Sequence, residues 1–220
     1  MRQIGSAFLI LVSFFVMAQD GPAYEVTITN LTKGQVFSAP VVITHSRGYA
    51  LFTLGAAASD ELALMAEDGA GRPLADAALE NASVYDAVVA DGPVRPGTSA
   101  TVVVNAGTYG SRVSVAGMLV ITNDTFFALN GVQGPPGLVF KNGLDTQVYM
   151  AEAYDAGSEN NTEACSDIPG PPCGNNGVRV TDGAEGYVYI SSGISGEGDL
   201  SASRYDWRSA VARVTIRLVR

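Results

Sequence analysis

The chain has 220 residues, a formal net charge of −9 and two cysteines. That length is one domain, or one domain with embellishments. The acidic balance excludes a nucleic-acid partner, because phosphate binding requires a basic stripe, while it suits either a held cation or simple solubility.

The first residues read as a targeting segment rather than as fold. Met1-Arg2-Gln3 is a short positive region, Ala7 to Val16 is apolar and uncharged, and Val16-Met17-Ala18 precedes the cleavage point at Gln19. The pattern predicts a secretory signal peptide over residues 1–18, too short and wrongly flanked to span a bilayer. The expected domain covers residues 19–220. No later stretch is long and apolar enough to cross a membrane, so no transmembrane anchor is expected and the mature protein should lie outside the cytoplasm, extracellular or periplasmic. In an oxidising compartment Cys165 and Cys173 are expected to pair. The short loop between them would make that bond a local clip worth about 2–3 kcal/mol, less any strain.

Tyr24-Glu25-Val26-Thr27-Ile28-Thr29-Asn30 alternates, with Tyr24, Val26 and Ile28 on one face, and reads as the first strand. Val41-Val42-Ile43-Thr44 is a second. Ser59-Asp60-Glu61 opens a helix: Ser59 is an N-cap, two acids sit in the first turn, and Leu62, Met65 and Ala66 share a face up to Asp68-Gly69. Residues 70–98, rich in Ala, Asp, Gly and Pro, read as a loop with at most one helical turn. Strands follow at Thr101–Val104, at Arg112–Ile121 with Gly117 as a candidate bulge, at Gly137–Phe140, and at Thr146–Ala153 after the turn dipeptide Asn142-Gly143. Gly186–Ile190 and Val211–Val219 complete the set; in the last, Val214, Ile216 and Leu218 face inward. Seven or eight short strands and one short helix predict an all-β antiparallel sandwich. No internal repeat or linker divides it.

The stretch Tyr149–Glu159 organises the rest. It alternates as a half-buried strand and then turns at Ala156-Gly157, presenting Asp155 and Glu159 from one loop. Two carboxylates four positions apart on a Gly-containing turn can converge on a hard cation, which takes oxygen ligands in a flexible shell. They can equally be solvated turn residues.

Other constellations carry less. His45, the only histidine, stands beside Ser46, but no Gly-x-Ser-x-Gly elbow accompanies it, and it reads as a hydrogen-bonded residue at a strand end. One His and two paired Cys make no zinc site. A glycosidase could use two of the many acids, though nothing in the sequence positions a pair. Trp207, next to the loop Ser191–Asp199, reads as a core or rim aromatic ahead of a sugar platform. Asn30, Asn81, Asn123 and Asn160 each begin an Asn-x-Ser/Thr sequon, relevant only where the host glycosylates.

Several segments in order resemble the spondin N-terminal domain, the module that opens F-spondin and mindin. Tyr24-Glu25-Val26-Thr27 is similar to its first strand and Thr44-His45-Ser46 to its Thr-His-Ser signature. Gly55, Ala58-Ser59 and Ala66-Glu67 match the ends of its helix. Tyr154-Asp155-Ala156-Gly157-Ser158-Glu159 resembles its aromatic-Asp-Ala-Gly-Thr-Asp motif, and Val211–Val214 with Ile216 its last strand. The resemblance implies a secreted β-sandwich, akin to the membrane-targeting calcium-binding sandwiches, that holds one calcium ion. Carried over by position, Asp155 and Glu159 are ligands, and Asp124 in Thr122–Phe127 supplies a third carboxylate. Glu159 stands where the family has Asp, keeping the charge and adding reach. The Cys165–Cys173 insertion and the lack of thrombospondin-type repeats depart from the animal proteins, so their matrix partners do not transfer. A lone domain behind a signal peptide fits a bacterial secreted protein.

Two functions follow as expectations. The first is a non-enzymatic, calcium-binding adhesion or extracellular interaction module whose partner is a surface protein or glycan. The second is a secreted carbohydrate-binding or hydrolytic sandwich using the same loops.

Overall fold

The computed structural model describes residues 21–137, 145–175 and 179–219. The predicted signal peptide, most of the predicted Gly137–Phe140 strand and the Asn142-Gly143 turn lie outside the described residues.

The sequence resolves into β1 (Ala23–Asn30), β2 (Val41–His45), α1 (Asp60–Asp68), α2 (Gly71–Leu79), β3 (Val84–Val89), β4 (Ser99–Asn105), β5 (Arg112–Met118), β6 (Thr125–Gln133), β7 (Thr146–Asp155), β8 (Tyr189–Ile190), α3 (Ala202–Tyr205) and β9 (Ala212–Leu218). All pairings are antiparallel, in the order β3-β2-β5-β6-β7-β9-β1-β4, with β8 on β7. The predicted antiparallel β-rich class is therefore the one observed, as a nearly closed sandwich-like sheet. Its two edges approach each other. The Thr44 hydroxyl on β2 donates to the Asn105 carbonyl of β4 at 2.5 Å, and Asn105 N donates to Asp86 Oδ2 of β3 at 2.8 Å.

Strand β7 is the corner that joins the two faces. Its first part, Thr146–Ala151, pairs with β9, and its second, Glu152–Asp155, pairs with β6. The alternation in β1 and β9 turns Tyr24, Val26, Ile28, Val214 and Ile216 inward, where they meet Val42, Val113, Val115 and Phe127 in the main core. Each such side chain contributes about 1.5–3 kcal/mol of burial.

A second core lies on the other face of β2, β5 and β6, where α1 and α2 cover Val41, Ile43, Ala116, Met118, Phe126 and Ala128. A strand buried on both faces loses its alternation. That is why Phe126-Phe127-Ala128-Leu129 gave no period-2 signal and β6 was not expected from the sequence.

Helix α1 forms as read: Ser59 Oγ accepts from Leu62 N at 3.2 Å and Gly69 closes the helix at φ 69°. The 70–98 segment is corrected. It holds a full helix and a strand, with Leu74, Ala75 and Ala78 of α2 buried. Pro73 falls in the first turn, where its missing N–H costs nothing, so a residue that looked like a breaker is a helix start. The register shift in β5 is between Val113 and Val115 rather than at Gly117. Gly117 is needed for packing instead, since a Cβ there would lie 2.7 Å from Phe127 Cε1. The predicted Gly186–Ile190 strand shrinks to the two residues of β8.

Cys165 and Cys173 form the expected disulfide, with Cα atoms 4.9 Å apart. The loop they close carries Ile168 into a third, small core with Ile121, Ile194, Leu200 and Tyr205. The neighbouring loop is fastened by a side chain: Glu163 Oε1 and Oε2 accept from Ser195 N and Gly196 N at 2.6 and 2.9 Å.

Candidate metal centre

Asp124 stands in the tight connection between β5 and β6. Thr122 shapes that turn, its hydroxyl donating to the Leu119 carbonyl at 2.6 Å and accepting from Thr125 N at 3.1 Å. Asp155 ends β7 and lies opposite Thr125 in the β6–β7 register. The ladder therefore fixes both residues at one end of the sandwich, and Glu159 follows on the next turn. That turn needs Gly157: its φ is +65°, and a Cβ there would lie 2.2 Å from the Tyr187 carbonyl oxygen.

All three carboxylates are buried, none more than 2 % exposed, so they are not solvated turn residues. Asp124 Oδ2 accepts from Ser158 N at 2.7 Å, Glu159 N at 3.0 Å and Ser158 Oγ at 3.1 Å. Its other oxygen, Oδ1, is buried with no hydrogen-bond partner. Asp155 Oδ1 accepts from Gly157 N at 2.8 Å and Oδ2 from Asn161 Nδ2 at 2.8 Å. Glu159 Oε1 accepts from Val180 N at 2.9 Å.

Burial is the main force on their ionisation, since it disfavours the charged form. It raises Asp124, with the Asp155 charge adding to the rise, and it raises Asp155. Glu159 is pushed up to about 7 by burial, then by Glu67 and Asp124. The charged form is thus disfavoured at all three carboxyls.

The structure adds residues that the sequence did not single out as site members. Glu67 on α1 is buried beside the same turn and raised by burial, and its Oε2 lies 2.7 Å from Arg179 Nε. Arg179 also meets Asp68 at 2.5 Å. On the Asp155 side, Asn161 Nδ2 also donates to the Tyr189 hydroxyl at 3.0 Å, and that hydroxyl donates to Glu185 Oε1 at 2.9 Å. The one advance signal for this group was Ala66-Glu67 within the family-like pattern; nothing in local spacing marks Arg179 as its partner.

The three predicted residues thus share one loop cluster, but they are not equivalent. Asp124 has no donor at Oδ1 and feels the Asp155 charge, whereas Glu159 Oε1 is engaged by Val180 N and feels Glu67 first, then Asp124 and Asp68. Among the described residues no group of three or more His, Cys, Asp or Glu side chains is placed so that it could hold a metal ion. Calcium is commonly completed by backbone and amide oxygens, and an orphaned buried carboxylate oxygen fits such a donor set. The Glu159 side chain would have to leave Val180 N to add its Oε1.

His45 has a different environment. Nδ1 lies 2.7 Å from the Ser46 carbonyl and Nε2 2.9 Å from Ser114 Oγ, and burial lowers its pKa. It is a buried, hydrogen-bonded residue at the end of β2. Trp207 is partly buried, packed on both the main and the third core.

An antiparallel sandwich with a buried acidic loop cluster at one end is the class that this fold and site define. No protein-family model matches the chain, and no curated relative matches it.

Proposed function

We propose that the protein is a secreted, calcium-binding, non-enzymatic interaction module of the spondin type. The single observation behind this reading is Asp124 Oδ1, a buried carboxylate oxygen without a hydrogen-bond partner, next to a second buried carboxylate, Asp155. An unpaired buried acceptor costs the desolvation of that group, about 1–3 kcal/mol and more when charged. A divalent cation at Oδ1 offsets that cost and the Asp124–Asp155 repulsion together. Asp124 and Asp155 would hold it, and Glu159 would join on release from Val180. The ion would supply positive charge that orders the turn 155–159; the protein fixes the two Asp residues through the β6–β7 ladder.

A disulfide and the lack, among the described residues, of any helix long and apolar enough to cross a membrane are compatible with the secreted setting. The hydrolytic alternative has less support, since both His45 ring nitrogens are committed to Ser46 and Ser114.

Calorimetry tests the site. Calcium is expected to bind at or below millimolar concentration and to raise Tm, by about 2.7 kcal/mol of stability at a hundredfold excess over Kd. A chelator reverses the gain and Asp155→Ala loses most of it. Magnesium, with its rigid octahedral shell, replaces calcium poorly. An Asp155→Ala protein that responds to calcium like the parent overturns the assignment.

A further inference from the structure

The same end of the sandwich carries a cavity that contains none of the proposed calcium ligands. Its volume is about 410 Å³, and its walls include Leu31, Thr32 and Lys33 from the loop after β1, and Asp206, Trp207 and Arg208 from the segment before β9. That volume falls in the range of about 300–1,000 Å³ that suits a small ligand, and the lining is predominantly polar, with Leu31 and Trp207 as its large apolar members. Trp207 is the only tryptophan of the chain, and two cores hold its ring in place. A ring fixed in that way offers a flat apolar surface at little entropic cost.

Charge selects the ligand. Asp206 is already engaged, Oδ1 accepting from Ile194 N at 3.1 Å and Oδ2 lying 3.7 Å from Arg208 Nε. Lys33 is exposed and Arg208 is 94 % exposed. A second hollow of about 420 Å³ shares Lys33 and is lined also by Arg204, Tyr205, Pro171 and Pro172. Arg204 lies over the Tyr205 ring, 5.1 Å from its centroid. In a chain with 13 basic and 22 acidic residues, the two linings together hold three bases and a single acid. Tyr205 is itself buried in the third core beneath Arg204, so the stacking surface is Trp207 alone. One indole beside two adjoining hollows that share a cation matches a ligand that repeats a ring with an apolar face and an anionic group.

We propose that this double hollow binds an acidic oligosaccharide. A sugar ring would lie against Trp207, its C–H face meeting the indole, and Lys33 with Arg208 or Arg204 would hold carboxylate or sulfate groups through charge-assisted hydrogen bonds. The site is independent of the calcium reading, and each can fail without the other.

Intrinsic fluorescence reports this site directly, because Trp207 is the sole indole. Titration with an oligogalacturonate hexasaccharide and with a heparin hexasaccharide is expected to change the emission, with affinity falling as salt rises. The ratio of the two affinities distinguishes a carboxylate from a sulfate site. Lys33→Ala with Arg208→Ala should weaken binding at least about tenfold with an unchanged circular dichroism spectrum. Both side chains are exposed, so the fold does not depend on them; Trp207→Phe, read by calorimetry, tests the stacking surface. The titrations are run with calcium and with chelator, and binding is expected in both. Cellohexaose binding as tightly as the acidic oligomers overturns the proposal, as does unaltered affinity in the double variant. Displacement by sodium sulfate at matched ionic strength identifies an adventitious ion only, and silence of both acidic oligomers at millimolar concentration also rejects the site.

Discussion

At Asp124 the two oxygens of one carboxylate live in different surroundings. Oδ2 takes three donors from Ser158 and Glu159, and Oδ1 takes none. That asymmetry gives a substitution opposite effects in two buffers. Asp124→Asn keeps an oxygen for Ser158 and Glu159 while removing the charge that burial and Asp155 oppose. In chelator it is expected to raise Tm by about 2–4 °C, the shift for roughly 1 kcal/mol in a domain of this size. In calcium it is expected to lower Tm relative to the parent, because the ligand charge is gone. Calorimetry in the two buffers reads the sign change; a variant less stable than the parent in both would mean that the carboxylate is only structural.

Among the elements, those with one wet face were legible in the sequence and those with two dry faces were not. Tyr24, Val26 and Ile28 alternate with Glu25, Thr27 and Thr29 because β1 has a solvent side. Strand β6, between the main core and the helices, has no such side over Thr125–Leu129, so its period vanished. The helix α2 was hidden by Gly71 and Pro73, whose positions in the first turn make them harmless. Asp155 and Glu159 were visible because they share one turn. Asp124 came only from the family resemblance, since the ladder that sets it beside Asp155 is a contact 31 positions away in the chain. Arg179, which pairs with Glu67 and Asp68 across more than a hundred residues, left no local trace. The disulfide loop was read as a clip, and its packing gives that clip a second role: it delivers Ile168 to the core shared with Tyr205 and touched by Trp207. Replacing both Cys165 and Cys173 by Ser is expected to cost about 2–3 kcal/mol and to shift the Trp207 emission. Denaturant unfolding followed by fluorescence measures both. An unchanged midpoint and spectrum would show that the loop holds its place without the bond.

For the molecule as a whole, the position of β9 decides how the chain can assemble. The latest strand in the sequence does not sit at an edge but between β7 and β1, with registers running from Tyr24↔Leu218 to Asn30↔Ala212 on one side and Thr146↔Arg217 to Ala151↔Ala212 on the other. Until it arrives, β1 and β4 have no ladder to the rest, and the inward faces of β1 and β7 lack Val214 and Ile216. Pairings this distant close slowly, because loop entropy must be overcome before the contacts form. A chain cut before Ala212 is therefore expected to be unfolded, digested by a dilute protease under conditions where the full chain survives. A truncated chain with native protease resistance would refute this assembly order. On the ribosome, the same geometry postpones folding until β9 has been synthesised. A polypeptide that stays extended for that long remains threadable, and a narrow protein-conducting channel would meet it before any tertiary structure had to be undone.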